Sequence, residues 1–144
     1  MITLQDFINK VKEKENNKVK ITTIEVEGFG EIEFQRPSDE ELLRYNNEIL
    51  NCFKGDIRNE NIGKEIDISM VDMEKMVLNA STFIYNSCSF FRAKEIRDMY
   101  KENEFTKIPL LILENSETLK IANELNAVFK GKSTKEEVEK EIKN

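Results

Sequence analysis

The stretch Gly28–Leu42, GFGEIEFQRPSDEEL, decides how this chain folds. From Glu31 to Gln35 the residues alternate, Ile32 and Phe34 against Glu31, Glu33 and Gln35, which is the period of a strand with one buried face. The run Val19–Glu27 before it is also strand-like, and Gly28-Phe29-Gly30 between the two is a hairpin connection. Within that first run Val19 and Ile21 keep one phase while Ile24 and Val26 keep the other. The slip predicts a bulge, or a strand that begins later than Val19. Pro37 closes the second strand because it cannot donate to a ladder and restricts the residue before it. Ser38 then caps a helix, with Glu41 completing a capping box and Asp39 and Glu40 favouring the positive end of the helix dipole.

Towards the N-terminus, Thr3 and Asp6 open a short helix with an apolar stripe of Leu4, Phe7, Ile8 and Val11, ended by the polar run Lys12–Lys18. Towards the C-terminus, Leu42, Leu43, Tyr45, Ile49, Leu50 and Phe53 form the expected buried stripe of the helix that Ser38 caps. Gly55–Asp67 is polar and reads as a loop. A longer helix is expected from about Ser69 to Ser87, with Met73, Met76, Val77, Ala80, Phe83, Ile84 and Ser87 at helical spacing. A short helix over Lys94–Glu102 follows, then the apolar run Lys107–Leu113, broken by Pro109. Asn115 or Ser116 is expected to cap a last helix carrying Leu119, Ala122, Leu125, Val128 and Phe129, stopped by Gly131. The expected fold class is α+β: one predominantly helical domain over residues 1–130 with a small N-terminal β-hairpin, and a polar tail over 131–144. Within that tail Ser133 and Glu136 form a box, but Val138 and Ile142 alone are too few to anchor a helix.

Composition narrows the function classes. The chain has 144 residues, 39% of them hydrophobic and 35% charged, with only 5 Gly and 2 Pro, a mix that supports a core rather than disorder. Acids outnumber bases 28 to 22 for a formal charge of −6, with no separate basic block, so nucleic acid is not an expected partner. No stretch approaches the ~20 apolar residues of a membrane span. Met1–Lys14 reads as a short amphipathic stretch rather than a secretory leader, so a cytoplasmic protein is expected. Cys52 and Cys88 are far apart and outside any CxxC spacing, and are expected to be reduced and buried.

There is no histidine. Ser-His-Asp and Cys-His nucleophilic chemistry, His general bases and the usual zinc and iron ligand sets are therefore excluded. Gly28-Phe29-Gly30 begins like a dinucleotide fingerprint, but Glu33 replaces the third glycine and a strand follows instead of a helix. Asp39-Glu40-Glu41 is explained by helix capping. Asp56–Asp67 lacks the register of a calcium loop. Lys107 has no phosphate or carbonyl site near it in sequence, and Ser87 and Ser89 have no base partner by type. No catalytic, metal or cofactor site is expected.

What remains is a surface for a partner. Phe29 at a turn, Phe90 and Phe91 at a helix end, and Leu110, Leu111 and Leu113 beside proline are apolar residues that no periodic face demands. Together they are the candidate partner-binding set.

The order of these blocks resembles the XkdN-like tail assembly chaperone family of PBSX-type prophages, contractile-tailed phages and phage-tail-like bacteriocins. Three blocks carry the likeness. The first is Gly28–Leu42, with its glycine turn, strand and Arg-Pro-Ser-Asp-Glu helix start. The second is Ile84–Phe91, where Ser89 stands in place of an expected proline. The third is Ile108-Pro109-Leu110 with Glu117–Ala122 and Phe129. The resemblance implies a non-enzymatic protein that binds and solubilises the tape measure protein, meets the tail tube protein and self-associates. Two other readings compete: a structural tail-completion or head–tail connector component, and a small regulatory partner such as one that neutralises a toxin. An enzyme comes third.

Overall fold

In the computed structural model residues 1–53 and 71–130 are described. Helix α1, Leu4–Asn17, opens the chain, and Thr3 Oγ1 accepts from the Asp6 amide at 3.1 Å as the sequence pattern requires. It runs through the polar residues expected to end it. Lys, Glu and Asn are tolerated in a solvated helix, and no Gly or Pro interrupts them. Strands β1, Ile21–Val26, and β2, Gly30–Gln35, form a two-stranded antiparallel hairpin. The register is continuous from Ile21 opposite Gln35 to Val26 opposite Gly30, so the phase slip at Val19 reflects a later strand start and not a bulge. Gly28 and Gly30 take φ of +86° and +87°, a conformation costly for residues with a Cβ, and the Phe29 amide closes the turn on Val26 O at 2.9 Å.

Helix α2, Asp39–Asn51, begins where Ser38 Oγ accepts from the Glu41 amide at 3.1 Å. Only that half of the capping box forms, because the Glu41 carboxylate holds Arg44 at 2.6 and 2.7 Å. Leu42 and Tyr45 are buried and Ile49 packs partly against them, while Leu43 and Leu50 face solvent, contrary to the expected stripe. At 100° per residue Leu43 and Leu50 share a line well off the one through Leu42, Tyr45 and Ile49, so one face cannot bury both.

Helix α3, Met73–Ser87, starts later than the expected Ser69, at a turn where Asp72 accepts from the Lys75 amide. Its first residue, Met73, is exposed rather than in the apolar stripe. A 3-10 turn, Ser89–Arg92, and helix α4, Lys94–Met99, lead to helix α5, Ile108–Phe129. Pro109 does not break the apolar run but sits in the first turn of α5, where a missing N–H costs nothing. The first turn has no cap of its own; Ser81 of α3 accepts the Leu110 amide at 3.1 Å and donates to Thr106 O at 2.7 Å. The helical path breaks at Glu114 (φ 67°, ψ 173°), and Asn115 and Ser116 begin the second run there without a side-chain cap bond. The loop expected over Gly55–Asp67, the stop at Gly131 and the tail at 131–144 lie outside the described residues.

The core forms where α3 and α5 pack together under the hairpin's inner face, with α2 on α3. Ile24, Val26, Ile32 and Phe34 from the strands meet Phe83, Ile84, Ile121, Leu125 and Phe129. Burying each large side chain contributes roughly 1.5–3 kcal/mol. Tyr45 stacks on Phe83 at 4.3 Å between centroids, and burial pushes its phenol up to about 12. Two arginines tie distant helix ends down. Arg36 donates to Phe129 O at the end of α5, and Arg92 to Tyr85 O at 2.9 Å in the last turn of α3, satisfying carbonyls that helix geometry leaves open.

Candidate partner-binding groove

The turn of the hairpin, the 3-10 turn, α4 and the first run of α5 surround an apolar groove of about 440 Å³. Phe29 in the glycine turn and Phe90 in the 3-10 turn, 59% and 63% exposed, both line it. Phe91 and Leu113 are buried in the core at one end and form the lining at the other. Ile32, Ala93, Ile96 and Ile112 complete the surface, and Glu95 is its one charged side chain. Phe29 reaches the groove because the turn needs glycine on both sides of it, so the aromatic ring is carried at the apex instead of in the sheet.

Of the sequence candidates, Phe29, Phe90, Phe91 and Leu113 are brought together here. Phe91 and Leu113 are core residues rather than free surface, buried in the same hydrophobic cluster as Phe34. Leu110 and Leu111 lie outside the groove, in a shallow depression with Glu114, Asn115 and Ser116. A second depression, lined by Glu27, Glu114, Ser116 and Glu117, shares Phe29, Ile112 and Leu113 with the groove. Carboxylates therefore stand in the groove at Glu95 and beside it, in the adjoining depression, at Glu27, Glu114 and Glu117. Glu114, at the rim, holds a backbone conformation that is essentially confined to glycine and costs of order 1–3 kcal/mol.

Sequence reasoning missed Ile32, Ala93, Ile96 and Ile112. Ile32 belongs to the buried face of the hairpin and lines the groove as well. Ile96 and Ile112 lie close in sequence to Phe91 and Leu113, and that proximity was the available signal.

The chemistry-bearing side chains set aside from sequence have structural partners. Ser87 is buried and donates to Phe83 O at 2.8 Å. Cys52 and Cys88 are free and buried, and burial pushes both thiols up, away from the reactive thiolate. A polar cleft lies at Pro37, Ser38, Glu40, Glu41, Arg44 and Asn86, but its strongest groups are engaged with one another. Arg44 bridges Glu41 to Asn79 Oδ1 at 2.8 Å, and the buried Asn79 donates to Tyr45 O at 2.9 Å. Among the described residues no cluster of His, Cys, Asp and Glu could hold a metal ion, and no helix is long and apolar enough to cross a membrane.

No family model, curated protein or solved structure matches the chain.

Proposed function

We propose that this chain is a non-enzymatic chaperone of phage-like tail assembly, acting in the cytoplasm of a bacterial host, whose groove takes the apolar stripe of an amphipathic helix of the tape measure protein. One observation carries the reading: two exposed phenylalanines, Phe29 and Phe90, stand over an apolar floor of Phe91, Ile96, Ile112 and Leu113. Such a groove suits helix-in-groove recognition, in which side chains at helical spacing drop into apolar hollows. The carboxylate border keeps the complex soluble and selects clients with basic flanks beside their apolar stripe. Release as the tube subunits polymerise needs modest affinity at each site, with many copies acting together along a long client. The resemblance of Gly28–Leu42, Ile84–Phe91 and Ile108–Phe129 to tail assembly chaperones names the client, and the groove supplies the physical means.

Co-expression with a tape measure fragment tests this. The fragment's soluble yield rises with the native chain and falls back with Phe90→Glu, a substitution at an exposed residue that leaves the core intact. Unchanged yield in both cases rejects the chaperone reading. Recovery of the chain in stoichiometric amounts from finished particles replaces it with a structural tail component.

A further inference from the structure

The hairpin is a sheet of only two strands, so each strand has a free edge unless another element covers it. Which backbone groups face outward follows from the ladder. The Arg36 amide donates to Lys20 O at 2.7 Å, which makes these two a hydrogen-bonded pair just beyond the strands. Hydrogen-bonded and non-hydrogen-bonded pairs alternate along an antiparallel ladder, so Thr22, Ile24 and Val26 bond to β2. The N–H and C=O groups of Ile21, Thr23 and Glu25 therefore point away from β2, as those of Glu31, Glu33 and Gln35 point away from β1. On the β2 side the Cys88 thiol, at the end of α3, donates to Glu33 O at 3.5 Å. On the β1 side the outward groups of Ile21, Thr23 and Glu25 have no hydrogen-bond partner among the described residues.

Most of the usual guards of an edge are missing from β1. It has no proline and no bulge, and five of its six residues are β-branched, the type that pairs most readily in sheets. Ile24 and Val26 face the core, while Ile21, Thr23 and Glu25 are exposed. Glu25 is the only charge on the strand. It lies directly opposite Glu31, in a non-hydrogen-bonded pair where side chains come closest, and Glu33 follows on the same face of β2. Like charges placed directly opposite destabilise a ladder, and none of the three carboxylates is in an ion pair among the described residues.

We infer that the open edge of β1 is a docking site for an extended segment of another protein, which adds as a third strand and sets a lysine or arginine beside Glu25. Main-chain hydrogen bonds to Ile21, Thr23 and Glu25 supply the affinity, and the carboxylates of Glu25, Glu31 and Glu33 supply the selection. A basic residue at that position offsets the repulsion between Glu25 and Glu31, whereas an acidic one adds to it. A third strand also stabilises a hairpin that two strands hold weakly by themselves. No residue of β1 lines the groove, so this surface is independent of the helix-binding site and of any client proposed for it.

Two hexapeptides with blocked ends, Thr-Val-Lys-Val-Thr-Val and the same sequence with glutamate in place of lysine, test it by amide NMR on the full chain. In the free chain the amides of Ile21, Thr23 and Glu25 exchange quickly with deuterium, while those of Thr22, Ile24 and Val26 are protected. The lysine peptide slows exchange at Ile21, Thr23 and Glu25, and binds roughly fivefold more tightly than the glutamate peptide. Glu25→Lys removes that preference. Thr23→Pro abolishes binding with unchanged circular dichroism, since proline there removes only an outward N–H. Phe90→Glu, in the groove, leaves peptide binding as it was. Protection of the three outward amides in the free chain, equal binding of the two peptides, or binding that survives Thr23→Pro overturns the proposal. Protection that rises with chain concentration alone assigns the edge to a second copy and also overturns it. Should Thr23→Pro unfold the chain, Glu25→Lys decides: a lysine preference that persists in that variant rejects the site.

Discussion

Helices α1 and α5 are both amphipathic in sequence, and the fold treats them in opposite ways. In α5 the residues Ile108, Leu113, Ile121, Leu125 and Phe129 are buried, whereas in α1 Leu4, Phe7, Ile8 and Val11 stay in solvent. Periodicity states that a face gains from leaving water; it does not name the surface that receives it. For α5 the receiver is α3 and the hairpin of the same chain. For α1 no described element of the same chain takes that part.

The sharpest way to break this contrast is to truncate the same residue type in each helix. Phe129→Ala removes a fully buried ring from α5 and is expected to cost about 3–5 kcal/mol of unfolding free energy in urea. Phe7→Ala, at an exposed ring, is expected to change it by less than about 0.5 kcal/mol. Equal costs would mean that α1 is docked in the monomer.

The packing side of the comparison is sharpened by the polar groups that hold α2 on α3. Asn79→Ala leaves Tyr45 O without its donor in the interior and removes one partner of Arg44, a loss of about 2 kcal/mol. A near-neutral result would show that water reaches this contact. Tyr45 gives a pH counterpart. Burial raises its folded pKa to about 12, so between pH 10 and 12 the unfolded chain has released a proton that the folded chain still holds. Stability is therefore flat below pH 10 and falls above it, by on the order of 2 kcal/mol as pH nears 12. Phenol absorbance that titrates wholly near pH 10 in folded protein would contradict that burial.

Smaller effects than those at the buried groups are expected at two of the three positive-φ backbone sites, Gly28 and Glu114. Gly28→Ala strains the turn that carries Phe29 and is expected to cost about 1 kcal/mol. Glu114→Gly relieves a conformation that only glycine takes readily, and is expected to raise the urea midpoint by about 1 kcal/mol's worth of stability. If both changes destabilise, the break in α5 is held by more than backbone preference.

Much of the fold was legible because its signals are local. The alternation of Ile32 and Phe34, the glycines about Phe29, the Ser38 and Thr3 caps and the helical spacing of Val77, Ala80, Phe83 and Ile84 each involve residues a few positions apart. The errors share a cause. A proline at a helix start and one in a helix interior look alike in sequence until the rest of the first turn is known, and Pro109 is of the first kind. Leu43 and Leu50 share the apolar type of core residues, but their angle on the helix separates their line from that of Tyr45. The candidate site was half legible. Phe29, Phe90, Phe91 and Leu113 stood out as apolar residues without a periodic role, while Ile32, Ile96 and Ile112 had ordinary roles and gave no such signal.

By itself the sequence determined the hairpin, the order of the helices, the absence of histidine chemistry and the acidic balance, since these depend on composition and on neighbours along the chain. Only the tertiary structure decided that the glycine turn and the 3-10 turn line one groove, that Ser81 completes the start of α5, and that Arg36 reaches across 93 residues to the carbonyl of Phe129 at the end of that helix. Those outcomes depend on which surfaces meet in space. An amphipathic pattern fixes how strongly a face seeks burial and leaves its direction to be set by everything else that packs.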